Sequence, residues 1–151
     1  VYLTRGFVEA FHAGKVSAEE IASVIAHELG HVALGHSRRR MIDFTGQNAI
    51  RVMLATILGR LVPGIGVWIA NLLTSLVAAR LSRRDEYEAD EWASALLVKA
   101  GIGTGPQKAL FAKLGRLTGG GSAPAWLLSH PATADRITAI EANEAKWGLR
   151  R

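Results

Sequence analysis

Residues 24–32 read Val24-Ile25-Ala26-His27-Glu28-Leu29-Gly30-His31-Val32 and contain two histidines and a glutamate in the pattern HExxH. The histidines are four residues apart, so both imidazoles lie on one face of a helix and can point at one ion. Glu28 lies next to that face, where its carboxylate can take a proton from water that the ion activates. The pattern predicts His27 and His31 as metal ligands and Glu28 as a general base.

The residues around this pattern carry no charge. Two histidines and a glutamate would be costly to bury among them unless something satisfies their polar atoms. A bound metal does so, and we favour it over the alternative, a polar helix face with two solvated histidines. Catalytic zinc has three protein ligands and one open position, so a third ligand is expected.

The start of the helix is marked by Ser17, which is followed three residues later by Glu20. In such a capping box the serine hydroxyl accepts from the glutamate N–H, and the glutamate carboxylate accepts from the serine N–H. Apolar residues then recur at helical spacing, which predicts a helix over about 18–37. We expect four of them to face the core: Val24, Ile25, Leu29 and Val32.

His36 is a first candidate for the third ligand, but its spacing argues against it. The metzincin pattern places a glycine seven and a histidine ten residues after the first histidine, and Leu34 and Ser37 occupy those positions here. We therefore interpret His36 as a residue at the C-terminal end of the helix, where positive charge is favoured.

A better candidate lies downstream, in Glu86-Tyr87-Glu88-Ala89-Asp90. Glu86 and Asp90 are four residues apart and share one helix face. Because the chain contains no cysteine, its ligands are drawn from His, Asp and Glu, and we predict Glu86 as the third. We predict that Asp90 accepts the second N–H of His27, which fixes the tautomer of that ring and raises its basicity.

Length and composition limit the alternatives. The 151 residues predict one domain over 1–151, and a content of 49% hydrophobic and 21% charged residues excludes a disordered tail. Two arginine clusters, at 38–40 and 80–84, carry much of the net charge of +5. We interpret them as solvated helix ends, with membrane headgroups as the next reading. Nucleic acid is not expected, because no aromatic residues interleave with the clusters and no nucleic-acid motif is present.

Residues 61–79 form an uncharged run of 19 residues between Arg60 and Arg80, close to the roughly 20 that cross a bilayer. Pro63 and Gly64 interrupt its first third. Three readings stay open: a buried helical hairpin inserted at about 48–80, a hairpin that contacts or dips into a membrane, and one true span.

The remaining pattern is mainly helical. Residues 1–4 are apolar and β-prone, which predicts a short strand, and because the chain begins inside it we expect an upstream sheet to be truncated. Helices are predicted from Pro106 to about 117 and from 134 to about 147, on either side of a glycine-rich loop at 119–122. The predicted fold class is mainly α (α+β).

Four segments together resemble the HtpX-like family of zinc metallopeptidases, a gluzincin family that includes the CAAX prenyl proteases. They are Val1-Tyr2-Leu3-Thr4-Arg5-Gly6, the HELGH pattern with His36 five residues on, Ser82-Arg83-Arg84-Asp85-Glu86-Tyr87-Glu88-Ala89-Asp90, and Ser129-His130-Pro131 with Asp135-Arg136-Ile137. They occur in the same order as in that family, over essentially the whole chain. One departure is Asp85, which stands where the resemblance leads us to expect a basic residue and which adds negative charge beside the site.

The resemblance implies a zincin-like helical core and a zinc-dependent endopeptidase with one zinc ion per chain. It implies that His130 lies near the active site, where it donates to the oxyanion of the tetrahedral intermediate or caps the zinc. It also implies that Arg136 anchors the loop of His130 through a carboxylate.

For the biological role, the resemblance implies protein quality control on unfolded or misfolded protein substrates. The location implied is the bacterial envelope, periplasmic or membrane-associated, with the cytoplasmic face of the membrane as the alternative. Two rival functions stay open: a zinc-binding latent or chaperone-like module with little turnover, and a basic membrane-surface helical module without metal.

Overall fold

The computed structural model describes residues 5–118, His130 and residues 134–147. These residues form six helices and contain no strand: α1 (Arg5–His12), α2 (Ala18–Ala33), α3 (His36–Leu61), α4 (Gly66–Lys99), α5 (Gly105–Thr118) and α6 (Ala134–Lys146). The prediction of a mainly α fold is confirmed. The strand predicted at 1–4 and the glycine-rich loop predicted at 119–122 lie outside the described residues.

The chain divides into two compact units, with residues 1–31 and 86–151 in the first and residues 32–85 in the second. The core of the first unit is a cluster of buried apolar side chains from α1, α2, α5 and α6: Phe7, Val24, Leu110, Phe111, Leu114 and Ile140. A smaller cluster joins α2 to α4 through Ala26, Ala93 and Leu97. These clusters position the helices that carry the candidate ligands. The single domain expected over 1–151 stays a prediction.

The capping box begins α2 as the sequence predicts. The Glu20 N–H donates to Ser17 Oγ at 3.1 Å, and the Ser17 N–H donates to Glu20 Oε2 at 2.9 Å. The predicted end of this helix near residue 37 is wrong, because Gly35 adopts a left-handed φ of 65° and α3 starts at His36. Glycine takes this conformation without the steric penalty of a β-carbon.

The buried face of α2 differs from the prediction. Val24 is buried, but Leu29 is 37% and Val32 is 68% exposed. The buried face carries small residues and the candidate ligands instead: Ala26, His27, Gly30 and His31. Apolar spacing alone misassigned this face, because the small residues at Ala26 and Gly30 allow another helix to cover the polar side.

The second unit contains a helical hairpin. Its first helix ends at Leu61, Gly64 takes a φ of 94° in the turn, and its second helix begins at Gly66. A β-carbon at Gly66 would lie 2.3 Å from the carbonyl group of Leu58, so only glycine fits where the two helices meet. Within residues 5–118 and 134–147, no helix has the length and hydropathy that crossing a membrane requires.

His36 and Asp85 lie together at the open end of this hairpin. His36 is 1% exposed, and its Nε2 lies 3.9 Å from Asp85 Oδ1. Its interpretation as the C-terminal residue of a helix is wrong, because it is the first residue of α3. Asp85 accepts from Arg40 Nε at 2.9 Å and from Arg39 Nη1 at 3.4 Å. Two arginines of the same unit therefore balance the unexpected negative charge of Asp85.

Candidate metal centre

A close approach of α2 and α4 brings the candidate ligands together. Gly30 faces Ala89, and a β-carbon on Gly30 would lie 2.9 Å from the Ala89 carbonyl oxygen and 3.1 Å from its Cα. These distances are shorter than ordinary van der Waals contact, so this approach requires glycine at position 30. Because Gly30 lies within HExxH and Ala89 within the segment 86–90, the contact sets the two groups of polar side chains opposite each other.

Three side chains converge from these two helices. His27 Nε2 lies 3.0 Å from His31 Nε2. Glu86 places Oε2 3.3 Å from His27 Nε2 and Oε1 3.3 Å from His31 Nε2. All three side chains are buried. The structure thus brings together the three residues that the sequence predicts as metal ligands.

This donor set fits a divalent metal ion such as zinc. Tetrahedral zinc binds histidine nitrogens and carboxylate oxygens at about 2.0–2.2 Å, which separates the ligand atoms by about 3.3–3.6 Å. The observed separations of 3.0 and 3.3 Å lie at or just below this range. Shifts of a few tenths of an ångström in the side chains therefore suffice to hold the ion.

Asp90 contacts His27 on the side away from the donor atoms. Its Oδ1 lies 2.8 Å from His27 Nδ1, and the Asp90 side chain is almost fully buried. The carboxylate assigns the imidazole proton to Nδ1, which leaves the lone pair of Nε2 facing the other donors. A histidine in this tautomer can bind a metal through Nε2. The sequence predicts this contact between Asp90 and His27.

Arg136 contacts both carboxylates from α6. Its Nε and Nη2 donate to the two Asp90 oxygens at 2.6 and 2.8 Å, and its Nη1 lies 3.3 Å from Glu86 Oε2. The guanidinium also stacks over Phe111, 4.5 Å from the ring centroid. Because the arginine is buried and binds Asp90 in a bidentate manner, it restrains the orientation of both acids.

His130 also lies close to these donor atoms. Its Nδ1 lies 2.9 Å from Glu86 Oε2 and 3.4 Å from His27 Nε2. Together with the three converging ligands it forms a group of four donors that could hold one ion. Residues 119–129 and 131–133 lie outside the described part of the chain, so only His130 itself is placed.

Glu28 lies beside the donors without joining them. Its side chain is 23% exposed, and its Oε1 lies 3.5 Å from His130 Nε2. A carboxylate that water can reach, next to a metal site, is placed to accept and return a proton. The position of Glu28 therefore suits acid–base chemistry better than metal ligation.

Burial and hydrogen bonding oppose each other in this cluster. Burial raises the pKa of Glu86, but hydrogen bonds from three histidines outweigh it and hold that pKa far below its usual value. For Asp90, burial likewise raises the pKa, and bonds to Arg136 and His27 lower it by more. Burial lowers the pKa of His31. Burial also disfavours protonated His27, but bonds to Asp90 and Glu86 prevail and raise its pKa. Both carboxylates are therefore ionised at neutral pH.

The sequence interpretation missed Gln107, which lies fully buried in α5. Its Nε2 donates to the carbonyl oxygen of Asp90 at 3.4 Å and to Asp90 Oδ1 at 3.5 Å. Ser94 Oγ lies 2.8 Å from both Gln107 Oε1 and the Asp90 carbonyl oxygen. The sequence does indicate that Gln107 is buried, because it shares one helix face with three apolar core residues: Leu110, Phe111 and Leu114. A polar residue on such a face indicates a buried polar partner.

The chain is similar in sequence to several proteins that are named as proteases. Metalloprotease LoiP of Escherichia coli (strain K12) is 35% identical over 131 residues, covering 87% of this chain and 52% of the relative. The putative beta-barrel assembly-enhancing protease of Vibrio cholerae is 31% identical, over 88% of this chain and 30% of that relative. Protease HtpX of Pseudomonas aeruginosa is 29% identical, over 95% of this chain and 58% of that relative.

The chain thus spans about half the length of LoiP and less than two thirds of the other two relatives. No solved structure matches it. The family model described as peptidase family M48 matches residues 1–144, which confirms the resemblance to the HtpX-like metallopeptidases. On this match, and with the HExxH helix facing Glu86, the chain belongs to peptidase family M48.

Proposed function

We propose that this chain is the catalytic domain of a zinc-dependent endopeptidase. The observation that carries the proposal is the convergence of His27, His31 and Glu86, whose donor atoms lie 3.0–3.3 Å apart in a buried cluster. Two neutral imidazoles and one carboxylate form a ligand set typical of catalytic zinc. Membership of a peptidase family supports peptide-bond hydrolysis as the reaction.

Zinc bound here would polarise the scissile carbonyl group and make water nucleophilic at neutral pH. Glu28 accepts the proton of the attacking water and passes it to the leaving amine. Asp90 keeps the proton of His27 on Nδ1, and Arg136 holds the carboxylates of Asp90 and Glu86 in place.

His130 has two roles in the proposed cycle. In the arrangement described here it lies 2.9 Å from Glu86, close enough to the other donors to complete a four-ligand set and close the site. When a substrate displaces it, its N–H donates to the carbonyl oxygen that gains negative charge in the transition state. The proximity of its Nε2 to Glu28, 3.5 Å, is consistent with both roles, because it keeps the histidine beside the reacting groups.

The proposed substrates are unfolded or misfolded proteins at or near the bacterial envelope, in the periplasm or at a membrane. One relative is named for enhancing beta-barrel assembly, which supports a role in envelope protein quality control. The exposed apolar hairpin of the second unit supports contact with a membrane surface.

The decisive test measures zinc content by mass spectrometry and casein cleavage on the same preparations. The wild type is expected to bind one equivalent of zinc. His31→Ala and Glu86→Ala should lose it, whereas Glu28→Gln should keep the zinc and lose cleavage. His12→Ala and Glu141→Ala are matched controls on exposed side chains and should change neither readout. A wild type that binds no metal after zinc is added back would overturn the proposal.

A second function, a zinc-binding latent or chaperone-like module, is favoured by one observation. His130 lies within the donor set, where it would fill the position that a substrate needs. Cleavage of unfolded protein that disappears in Glu28→Gln would exclude this alternative. Stoichiometric zinc without cleavage, in the wild type and in a His130→Ala variant, would favour it.

A further inference from the structure

The positive charge of this protein is concentrated in the second unit. Residues 32–85 contain eight arginines and two aspartates, a net charge of +6, whereas the whole chain carries +5. The first unit is therefore slightly acidic. The basic residues of the second unit are all arginines. One planar guanidinium can donate to two phosphate oxygens at once.

Six of these arginines form a cluster at the open end of the hairpin, which we call the arginine collar: Arg38, Arg39, Arg40, Arg80, Arg83 and Arg84. Asp85 accepts from two of them, Arg39 and Arg40. Three others have no ion-pair partner among the residues that the structure describes: Arg38, Arg80 and Arg83. The collar therefore keeps an excess of positive charge at the protein surface.

Between the collar and the turn, the hairpin exposes apolar side chains. Sixteen large apolar residues from Met41 to Val77 are 41–72% exposed, with Phe44, Leu61 and Trp68 among the most exposed. No acidic residue lies between Asp43 and Asp85. A surface with this much exposed apolar area marks an interaction site.

We propose that the hairpin of residues 36–85 is a docking surface for membranes that contain anionic phospholipids. Its apolar side chains enter the leaflet, and the collar binds lipid phosphates. Trp68 is 65% exposed and lies among these apolar side chains, so its fluorescence reports whether they enter the leaflet.

The charge and the apolar area of the hairpin favour an anionic membrane over a second copy of this chain or a nucleic acid. A second copy of the hairpin would bring two positively charged collars together, which costs free energy. A nucleic acid would neutralise the arginines but leave the apolar side chains in water. An anionic leaflet satisfies both features at once. The inference adds a lipid chemistry to the proposed membrane contact and does not depend on peptide hydrolysis.

The test is flotation of the full chain with vesicles of phosphatidylglycerol and phosphatidylcholine, compared with vesicles of phosphatidylcholine alone. We expect binding only to the anionic vesicles, and a blue shift of tryptophan fluorescence that Trp68→Phe removes. Each basic residue near an anionic surface contributes about fivefold in affinity. The triple variant Arg38→Gln, Arg80→Gln, Arg83→Gln should therefore bind roughly a hundredfold more weakly.

A matched triple variant removes the same charge from the first unit: Lys15→Gln, Lys99→Gln, Arg116→Gln. It should bind anionic vesicles like the wild type, and so should Glu28→Gln, which separates lipid binding from catalysis. Replacing Leu61 and Ile65 at the turn with asparagine should also abolish binding. Equal loss in the two triple variants, equal binding to neutral vesicles, or no binding at all would overturn the proposal. Self-association in the absence of lipid that the Leu61 and Ile65 changes abolish would replace it with a dimer interface.

Discussion

Gly30→Ala tests whether the approach of α2 to α4 sets the spacing of the proposed metal ligands His27, His31 and Glu86. The new methyl carbon would lie 2.9 Å from the Ala89 carbonyl oxygen, where contact requires about 3.4 Å, so the helices must separate locally by about 0.5 Å. His27 and His31 move with one helix and Glu86 with the other. The two 3.3 Å separations between them should then grow to roughly 3.8 Å, beyond the range for tetrahedral zinc.

Stability and metal affinity should respond differently to this change. Overpacking costs about 1–3 kcal/mol, but alanine gains about 1 kcal/mol over glycine within a helix. The net loss in the free energy of unfolding of the metal-free protein is therefore about 0–2 kcal/mol. Zinc affinity should fall by at least about tenfold, since a shift of this size in the ligands resembles the loss of an outer-shell contact.

The assay is competition for zinc against a chromophoric chelator, with urea unfolding of the metal-free protein measured in parallel. Gly46→Ala is a matched control, because Gly46 is also helical and a β-carbon there meets nothing within 4 Å. It should bind zinc like the wild type. Wild-type affinity in Gly30→Ala would show that this contact does not set the ligand spacing.

Three further predictions concern the contacts behind the ligands. Arg136→Gln should lower the free energy of unfolding by about 3–5 kcal/mol, because it leaves buried Asp90 and Glu86 without their cation; wild-type stability in urea would contradict this. Gln107→Leu should keep the fold, seen by near-ultraviolet circular dichroism, and weaken zinc binding about tenfold through Asp90; unchanged affinity would make Gln107 a packing residue only. The raised pKa of His27 means that protons compete with the metal to a higher pH than for an ordinary histidine. Zinc affinity should be constant above that pKa and fall as pH decreases through it. The stability of the metal-free protein should show the opposite trend. The contribution of protonated His27 to its free energy of unfolding is fully present below about pH 6.5 and is lost as pH rises through the pKa of His27 in the folded state. Titrations from pH 5 to 9 would detect both trends, and a pH-independent affinity would exclude the competition.

The local chemistry of this protein follows from spacing along the chain. Residues four apart on a helix share a face whatever surrounds them, so His27 and His31 could be paired from spacing alone. The capping box at Ser17 is local for the same reason, and both of its hydrogen bonds are present. The same rule predicts that Glu86 and Asp90 share a helix face.

What each helix face contacts depends instead on the tertiary structure. Leu29 and Val32 have the spacing of core residues yet are exposed, because the close contact at Gly30 buries the polar side of α2. Gln107 acquires its role through contacts with Asp90, 17 residues away in the chain. Asp85 is an extra negative charge in the sequence, but in the structure it accepts hydrogen bonds from Arg39 and Arg40. Periodicity reports which residues share a face, but the partner of that face depends on contacts between segments far apart in the sequence.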